Sequence, residues 1–332
     1  MGLHLRNEKI DMPPILKEIR YRVWWALCVL DTLLCLISGR PLHMSDDFRT
    51  TPLPLPFREE QLWDKNVGPL ISDNYKRNAF MSSLFSGSRL EQTELPITKS
   101  EPDQMQAGGC ETVTPNISLY FLHLVDLTLI ARQAVRALYA PEVARNSWAG
   151  AEMTISFLNK KADIWVSGLP SAFQFRQESR LSDRQTISLG FRFYTTKILI
   201  LQPCLFRYSQ QASGVDITGS SCNKMAALCV DSACEMFNLL PDLPGSAWLL
   251  QFSPWASVLH YLMQSMTVLL MYLFTRESPT ADKSAMVIAA INKGLRWLHD
   301  MSRKDTPSQQ AWLLCKKLLS DFDSAPGVNV DA

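Results

Sequence analysis

From Ile15 to Ile37 the apolar residues recur at steps of three and four. Ile15, Ile19, Val23, Ala26, Leu30, Leu33 and Ile37 line one side of a helix that the spacing predicts from about Pro13 to Gly39. Pro13 and Pro14 suit its first turn, where a missing N–H removes no bond, and Gly39 followed by Pro41 supplies the stop. The same period returns near 115–140, 142–167, 183–202, 221–239, 254–275, 281–302 and 307–322. Thr114-Pro115, Ser253-Pro254, Ser278-Pro279 and Thr306-Pro307 are read as helix starts, the hydroxyl capping free N–H groups and the proline entering the first turn. Thr306 and Gln309 have the spacing of a capping box. These pairs are also phosphorylation motifs, but capping is the better reading. No segment alternates apolar and polar residues cleanly, so the expected fold class is all-α.

Two stretches break the helical pattern. Residues 41–57 hold Pro41, Pro52, Pro54 and Pro56 and are expected to run extended over the surface. Residues 86–114 contain no aromatic residue and read as a disordered linker. The expected organisation is 1–85 and 115–323 as two parts of one helical domain, with 86–114 between them and a tail at 324–332. No internal repeat is found.

Between Arg22 and Arg40 lie 17 residues whose only charge is Asp31, which raises the question of a membrane span. Seventeen is the bottom of the spanning range. Five Leu, two Val and one Ile contribute roughly −0.3 to −0.6 kcal/mol each, and a central Asp costs roughly 2.5–3.5 kcal/mol, so insertion sums to near zero. The second apolar run, 258–274, carries His260 and Gln264. Both read as buried core helices, and no membrane is expected as a partner.

Charge and chemistry narrow the picture further. Thirty-three Lys and Arg against 32 Asp and Glu leave a net charge of +1, so nothing argues for nucleic acid on electrostatic grounds. Six of the eight cysteines (28, 35, 204, 229, 234 and 315) lie in apolar runs and no C-x-x-C pair occurs, which points to reduced thiols rather than a metal site. Asn116-Ile-Ser118 matches a glycosylation sequon, but nothing else suggests secretion. No nucleophile elbow, H-E-x-x-H, P-loop or G-x-G-x-x-G is present, so no enzyme, catalytic residue or cofactor is expected.

His260 reads first as a hydrogen-bonded core residue, and Trp24 and Trp25 as core packing. The sharper alternative is an effector pocket built from Trp25, Trp255, His260 and Tyr261. Asp31, in the middle of an apolar helix, needs a partner, and an ion pair with Arg40 is the first expectation, with Arg20 or Arg22 as substitutes.

The stretch EIRYRVWWALCVLDTLLCLISGRPLHMSDD resembles the most recognisable segment of the fungal-specific transcription factor domain, the regulatory middle region of fungal binuclear zinc-cluster transcription factors. The matching residues are Glu18, Arg20, Arg22, Trp24, Trp25, Asp31, Gly39, Arg40, Pro41, Asp46 and Asp47. The preceding GLHLRNE is similar to the family's GLHR turn, and weaker matches follow in order at 162–170, 193–207, 253–270 and 291–312. The six-cysteine zinc cluster that reads DNA in this family is absent from the sequence. Cys28/Cys35 and Cys222/Cys229 keep a six-residue gap but lack the close partner a metal needs.

The resemblance implies a nuclear transcription regulator, with zinc belonging only to the family's DNA-binding segment and no direct DNA binding by this chain alone. It implies a small-molecule effector, a co-regulator or a second copy as partner, and a chain equivalent to the C-terminal two-thirds of a regulator or a shortened relative. The alternatives are a helical enzyme or ligand-binding protein with no DNA link, or a fragment without independent function.

Overall fold

The computed structural model describes residues 2–5, 12–44, 49–85, 113–141, 147–175, 183–211, 220–245, 247–249, 253–274 and 281–320, which contain no β-strand. Its helices are α1 (Pro14–Ser38), α2 (Gly68–Ser72), α3 (Asn74–Leu84), α4 (Ile117–Tyr139), α5 (Trp148–Ser167), α6 (Arg184–Gln211), α7 (Ser220–Asn238), α8 (Trp255–Leu273), α9 (Ala281–Ser302) and α10 (Thr306–Ser320). The expected all-α class is what the chain adopts. Of the expected linker, only Val113 and Thr114 are described; 86–112, Ser278-Pro279 and the tail from 321 lie outside the described residues.

Helix ends differ instructively from the sequence reading. Gly39 does stop α1: its φ is 66°, a left-handed conformation that residues with a Cβ rarely adopt, and its N–H reaches the Cys35 carbonyl at 2.9 Å. Among the described residues the hydroxyl caps expected at Thr114, Ser253 and Thr306 do not form. Asn116, not Thr114, caps α4, its Oδ1 accepting from the N–H groups of Ser118 (2.8 Å) and Leu119 (3.0 Å). Asp305, not Thr306 with Gln309, caps α10, accepting from the Ser308 N–H at 2.7 Å. A carboxylate or amide oxygen accepts more strongly than a hydroxyl, and one or two residues of register are all the difference requires.

Asn116 is buried, and its amide donates to the Pro56 and Thr114 carbonyls, so the sequon is a structural element of the fold. Helices α2 and α3 were not expected, because α2 is short and α3 has little apolar periodicity. Their visible signal is Asp73, whose side chain caps α3 through Tyr75 and Lys76.

Helix α6 runs to Gln211, well past the end expected near 202, despite Pro203 in its interior. A proline lacks the N–H that would bond the carbonyl four residues earlier. That carbonyl belongs to Leu199, and the Tyr139 hydroxyl donates to it at 2.7 Å. A side chain from α4 thus replaces the lost backbone donor, and the helix continues.

The chain divides into two compact units. The first is Met1–Asp31, Leu42–Asp126 and Ser167–Pro170, and the second is Thr32–Pro41, Leu127–Val166 and Ser171–Ala332. Helices α1 and α4 contribute to both.

In the second unit α6 packs on α7 and α8, while α9 packs on α7, α8 and α10. Gly294 lets α9 approach closely: a Cβ there would meet Met266 Sδ at 2.6 Å and the Phe237 ring at 2.9 Å. Trp165 stacks on Phe193 with centroids 5.8 Å apart, and Trp297 donates to the Pro241 carbonyl at 3.0 Å. Buried Lys197 is held by Asp163 at 2.8 Å and by the Asn159 side chain.

Helices α1 and α8 are long and apolar enough to cross a membrane by length and composition. Helix α8 buries Val258, Leu262, Met266, Leu269 and Leu270 in the second unit. Helix α1 behaves differently from the sequence reading. Its buried side is Glu18, Tyr21, Trp24, Trp25, Cys28, Val29, Thr32 and Cys35. Ile19, Val23, Leu30 and Ile37 of the expected apolar face are exposed, as is Ala26. Two tryptophans carry more area and more hydrogen-bonding reach than aliphatic residues, and they win the interior.

Candidate functional site

The first unit is organised by the Pro-rich segment that follows α1. Prolines at 52, 54 and 56 leave that segment short of N–H donors, and an extended strand without neighbours leaves its carbonyls unpaired as well. Side chains satisfy them instead. Trp25 donates its indole N–H to the Pro52 carbonyl at 2.8 Å, and Arg77 of α3 donates to the Leu53 carbonyl. Arg22 donates to the Leu55 carbonyl at 3.2 Å and to that of Phe57, and Asn116 takes the Pro56 carbonyl at 3.1 Å.

Glu18 closes the arrangement. Fully buried, it accepts from the Leu55 N–H at 2.7 Å, pairs with Arg77 at 2.8 Å, and lies 3.5 Å from Arg22 Nε. Arg49 caps the face of Trp25 at 4.5 Å, and Arg77 lies 5.3 Å from the centre of the Tyr21 ring.

This clamp gives the signature residues their physical meaning. Glu18, Arg22 and Trp25 hold the strap at 52–57 against α1, and Trp24 packs beside His4, whose carbonyl receives the Thr50 N–H at 3.0 Å. Asp31 spends its carboxylate on the backbone N–H groups of His43 (3.1 Å) and Met44 (3.2 Å), bracing the chain as it doubles back after Gly39. The expected ion pair with Arg40 is replaced by this main-chain bracket, and Arg40 and Pro41 are exposed. Arg20 is half-buried on α1. Arg77 and Asn116, which complete the clamp, escaped the sequence reading because they lie 59 and 98 residues from Glu18 with no local pattern pointing back to it.

Of the four candidate pocket residues, Trp25 and Trp255 have surroundings of their own, whereas His260 and Tyr261 are in contact. Trp25 belongs to the clamp. Trp255, at the start of α8, donates its indole N–H to Asp305 and to the Ser308 hydroxyl, tying α8 to the start of α10. His260 and Tyr261 meet edge to face at 5.9 Å. Burial holds His260 below its ordinary protonation range. Tyr261 stacks near Phe191 and lines a cavity of about 20 Å³ in the second unit, with Thr32, Thr128, Arg192, Thr195 and Thr196. That volume suits about one water molecule. It is more than tenfold below the several hundred cubic ångströms of an effector pocket.

Among the described residues no three His, Cys, Asp or Glu side chains converge as a metal site. The seven described cysteines are buried and carry reduced thiols, with no disulfide among them. Burial pushes Cys234 up to about 12 and Cys315 up to about 11, which suits inert core thiols.

Residues 1–133 match the model of the fungal specific transcription factor domain. Across 99% of its length the chain is 28% identical to a transcription regulator, galc, of Aspergillus niger, and it covers 43% of that protein. It is 23% identical to an ABC-transporter-regulating transcription factor of Aspergillus fumigatus over 76% of the chain and 25% of the relative. A shorter match, 36% identical over 73 residues, joins 21% of the chain to 9% of an uncharacterized transcriptional regulatory protein of Schizosaccharomyces pombe. The chain therefore spans less than half the length of these relatives. No solved structure matches. Residues 1–133, built around the clamp that the signature helix closes on its Pro-rich strap, are thus a fungal specific transcription factor domain, in a chain similar along nearly all its length to a fungal transcription regulator.

Proposed function

We propose that this chain is the regulatory part of a fungal transcription regulator, working in the nucleus through macromolecular partners. Its task is to govern a DNA-reading segment, attached or supplied by a partner, by docking a co-regulator or a second copy of itself. The observation that carries this reading is the domain match over residues 1–133 together with a likeness to a transcription regulator across 99% of the chain. The clamp adds a physical reason, since Glu18, Trp25 and Asn116 spend their polar groups on holding the strap, which suits a scaffold rather than a catalyst. No enzymatic role is proposed.

Sensing of a small-molecule effector is the second reading, favoured by the Tyr261 cavity, where Thr128, Arg192 and Thr195 stand among the apolar Leu33, Leu36 and Leu127; at about 20 Å³ it must open before a metabolite could enter. Direct DNA reading by this chain is not proposed, because a net charge of +1 offers little to hold phosphates.

The test is a reporter assay in a fungal host, with residues 1–332 fused to an unrelated DNA-binding domain. The expected result is reporter output changed several-fold, up or down, relative to the DNA-binding domain alone. Unchanged output at equal protein level would overturn the proposal. A gel shift with the unfused chain, expected to show no band that survives competitor DNA at physiological salt, checks the DNA statement separately.

A further inference from the structure

Helix α1 presents an aliphatic outer face, with exposed Ser38 at its C-terminal end. Leu16, Ile19, Val23, Leu27, Leu30, Leu34 and Ile37 are each 36–55% exposed, and Ala26 stands exposed in their midst. The seven large residues advance 21 residues in six steps, a mean spacing of 3.5, which is the repeat of a seam between two helices. The stripe is about 32 Å long at 1.5 Å per residue. With an aliphatic side chain offering about 150–200 Å² when fully exposed, the face presents on the order of 500 Å², at the upper end of what a monomer leaves open to water. Two such faces bury about 1,000 Å², the threshold for a specific interface.

We infer that this face is where two copies of the chain pair, α1 against α1 and antiparallel. The pattern is self-complementary under reversal. Placed about a two-fold axis between Ala26 and Leu27, Leu16 comes opposite Ile37, Ile19 opposite Leu34, and Val23 opposite Leu30, while small Ala26 receives Leu27 of the second copy. Reversal also separates the flanking charges. Lys17 comes opposite Leu36 and Arg20 opposite Leu33, whereas a parallel pair would set each cation against its own copy. Antiparallel helices further align their dipoles favourably. This gives the self-association named in the proposed function its surface, and it rests on that reading only for its biological purpose.

Sedimentation equilibrium of chain 1–332 tests it apart from any reporter. The expected species has twice the 37.6 kDa chain mass at micromolar concentration. The Leu27→Glu/Leu30→Glu variant is expected to keep its helical circular dichroism and to dissociate at least 100-fold more readily. Mixed Ile19→Cys and Leu34→Cys chains are expected to form an intermolecular disulfide under mild oxidation that neither forms alone. A monomer at all concentrations to 100 µM, or a dimer indifferent to the double glutamate variant, would overturn the inference. So would a monomer whose binding to phosphatidylserine vesicles disappears in that variant, which would assign the face to lipid. Ile19→Cys chains that cross-link to one another would overturn the antiparallel register.

Discussion

Removing Arg77 is the sharpest test of the clamp. Glu18 is inaccessible to water and Arg77 is 2% exposed, so neither charge recovers hydration when its partner is removed. Truncating one member of such a pair costs about 3–5 kcal/mol. Here Arg77→Met leaves Glu18 with the Leu55 N–H and with Arg22 at 3.5 Å, a cation that is 17% exposed. The expected loss is therefore at the lower end, about 3 kcal/mol. Glu18→Leu is expected to cost at least as much, because it strands Arg77, whose Nε and Nη1 already lack hydrogen-bond partners. That imperfect satisfaction makes the double variant informative. With both charges gone, apolar side chains of similar size fill the site, and Glu18→Leu/Arg77→Met is expected to recover most of the loss, with a coupling energy of about 2 kcal/mol or more. Urea titrations followed by tryptophan fluorescence and circular dichroism give the three free energies from midpoints at a common slope. If Arg77→Met costs under about 1 kcal/mol, or the double variant is as damaged as the two single variants added, the burial argument fails.

Three further outcomes follow from the geometry. Asp305→Ala is expected to cost about 1–2 kcal/mol through the α10 cap and the Trp255 bond, while Thr306→Ala changes little; equal effects in thermal melts would restore the capping-box reading. Tyr139→Phe is expected to lose about 1 kcal/mol, and to lose much less in a Pro203→Ala background, where the new N–H can take the Leu199 carbonyl; a loss independent of residue 203 would refute the substitute-donor account. His260 is held neutral by burial, so in the range between its lowered folded pKa and the unfolded value near 6.5 the unfolded chain binds more protons. Stability should thus fall as pH drops below about 6.5, and His260→Gln should flatten that dependence in urea titrations between pH 5 and 7.5.

Much of the local structure was legible because it is written at short range. The 3.6-residue period marked α1 and α4–α10, and Gly39 marked the α1 stop, since left-handed backbone is a local property. The continuation of α6 through Pro203 was not legible. It depends on a tyrosine 64 residues away that supplies the missing donor. The clamp was half legible: Glu18, Arg22 and Trp25 stood out by resemblance, but their task needed Arg77, Asn116 and the strap carbonyls, which are distant in sequence.

Helix α1 shows most clearly where sequence reasoning stops. Its composition determines a helix apolar on nearly every side, and periodicity cannot rank two apolar faces of similar strength. Only the tertiary structure decides that the face with Trp24, Trp25 and Glu18 turns inward. The Pro-rich strap needs donors and an acceptor that only that face supplies, and the aliphatic stripe is left to water because nothing in it can hydrogen-bond a carbonyl.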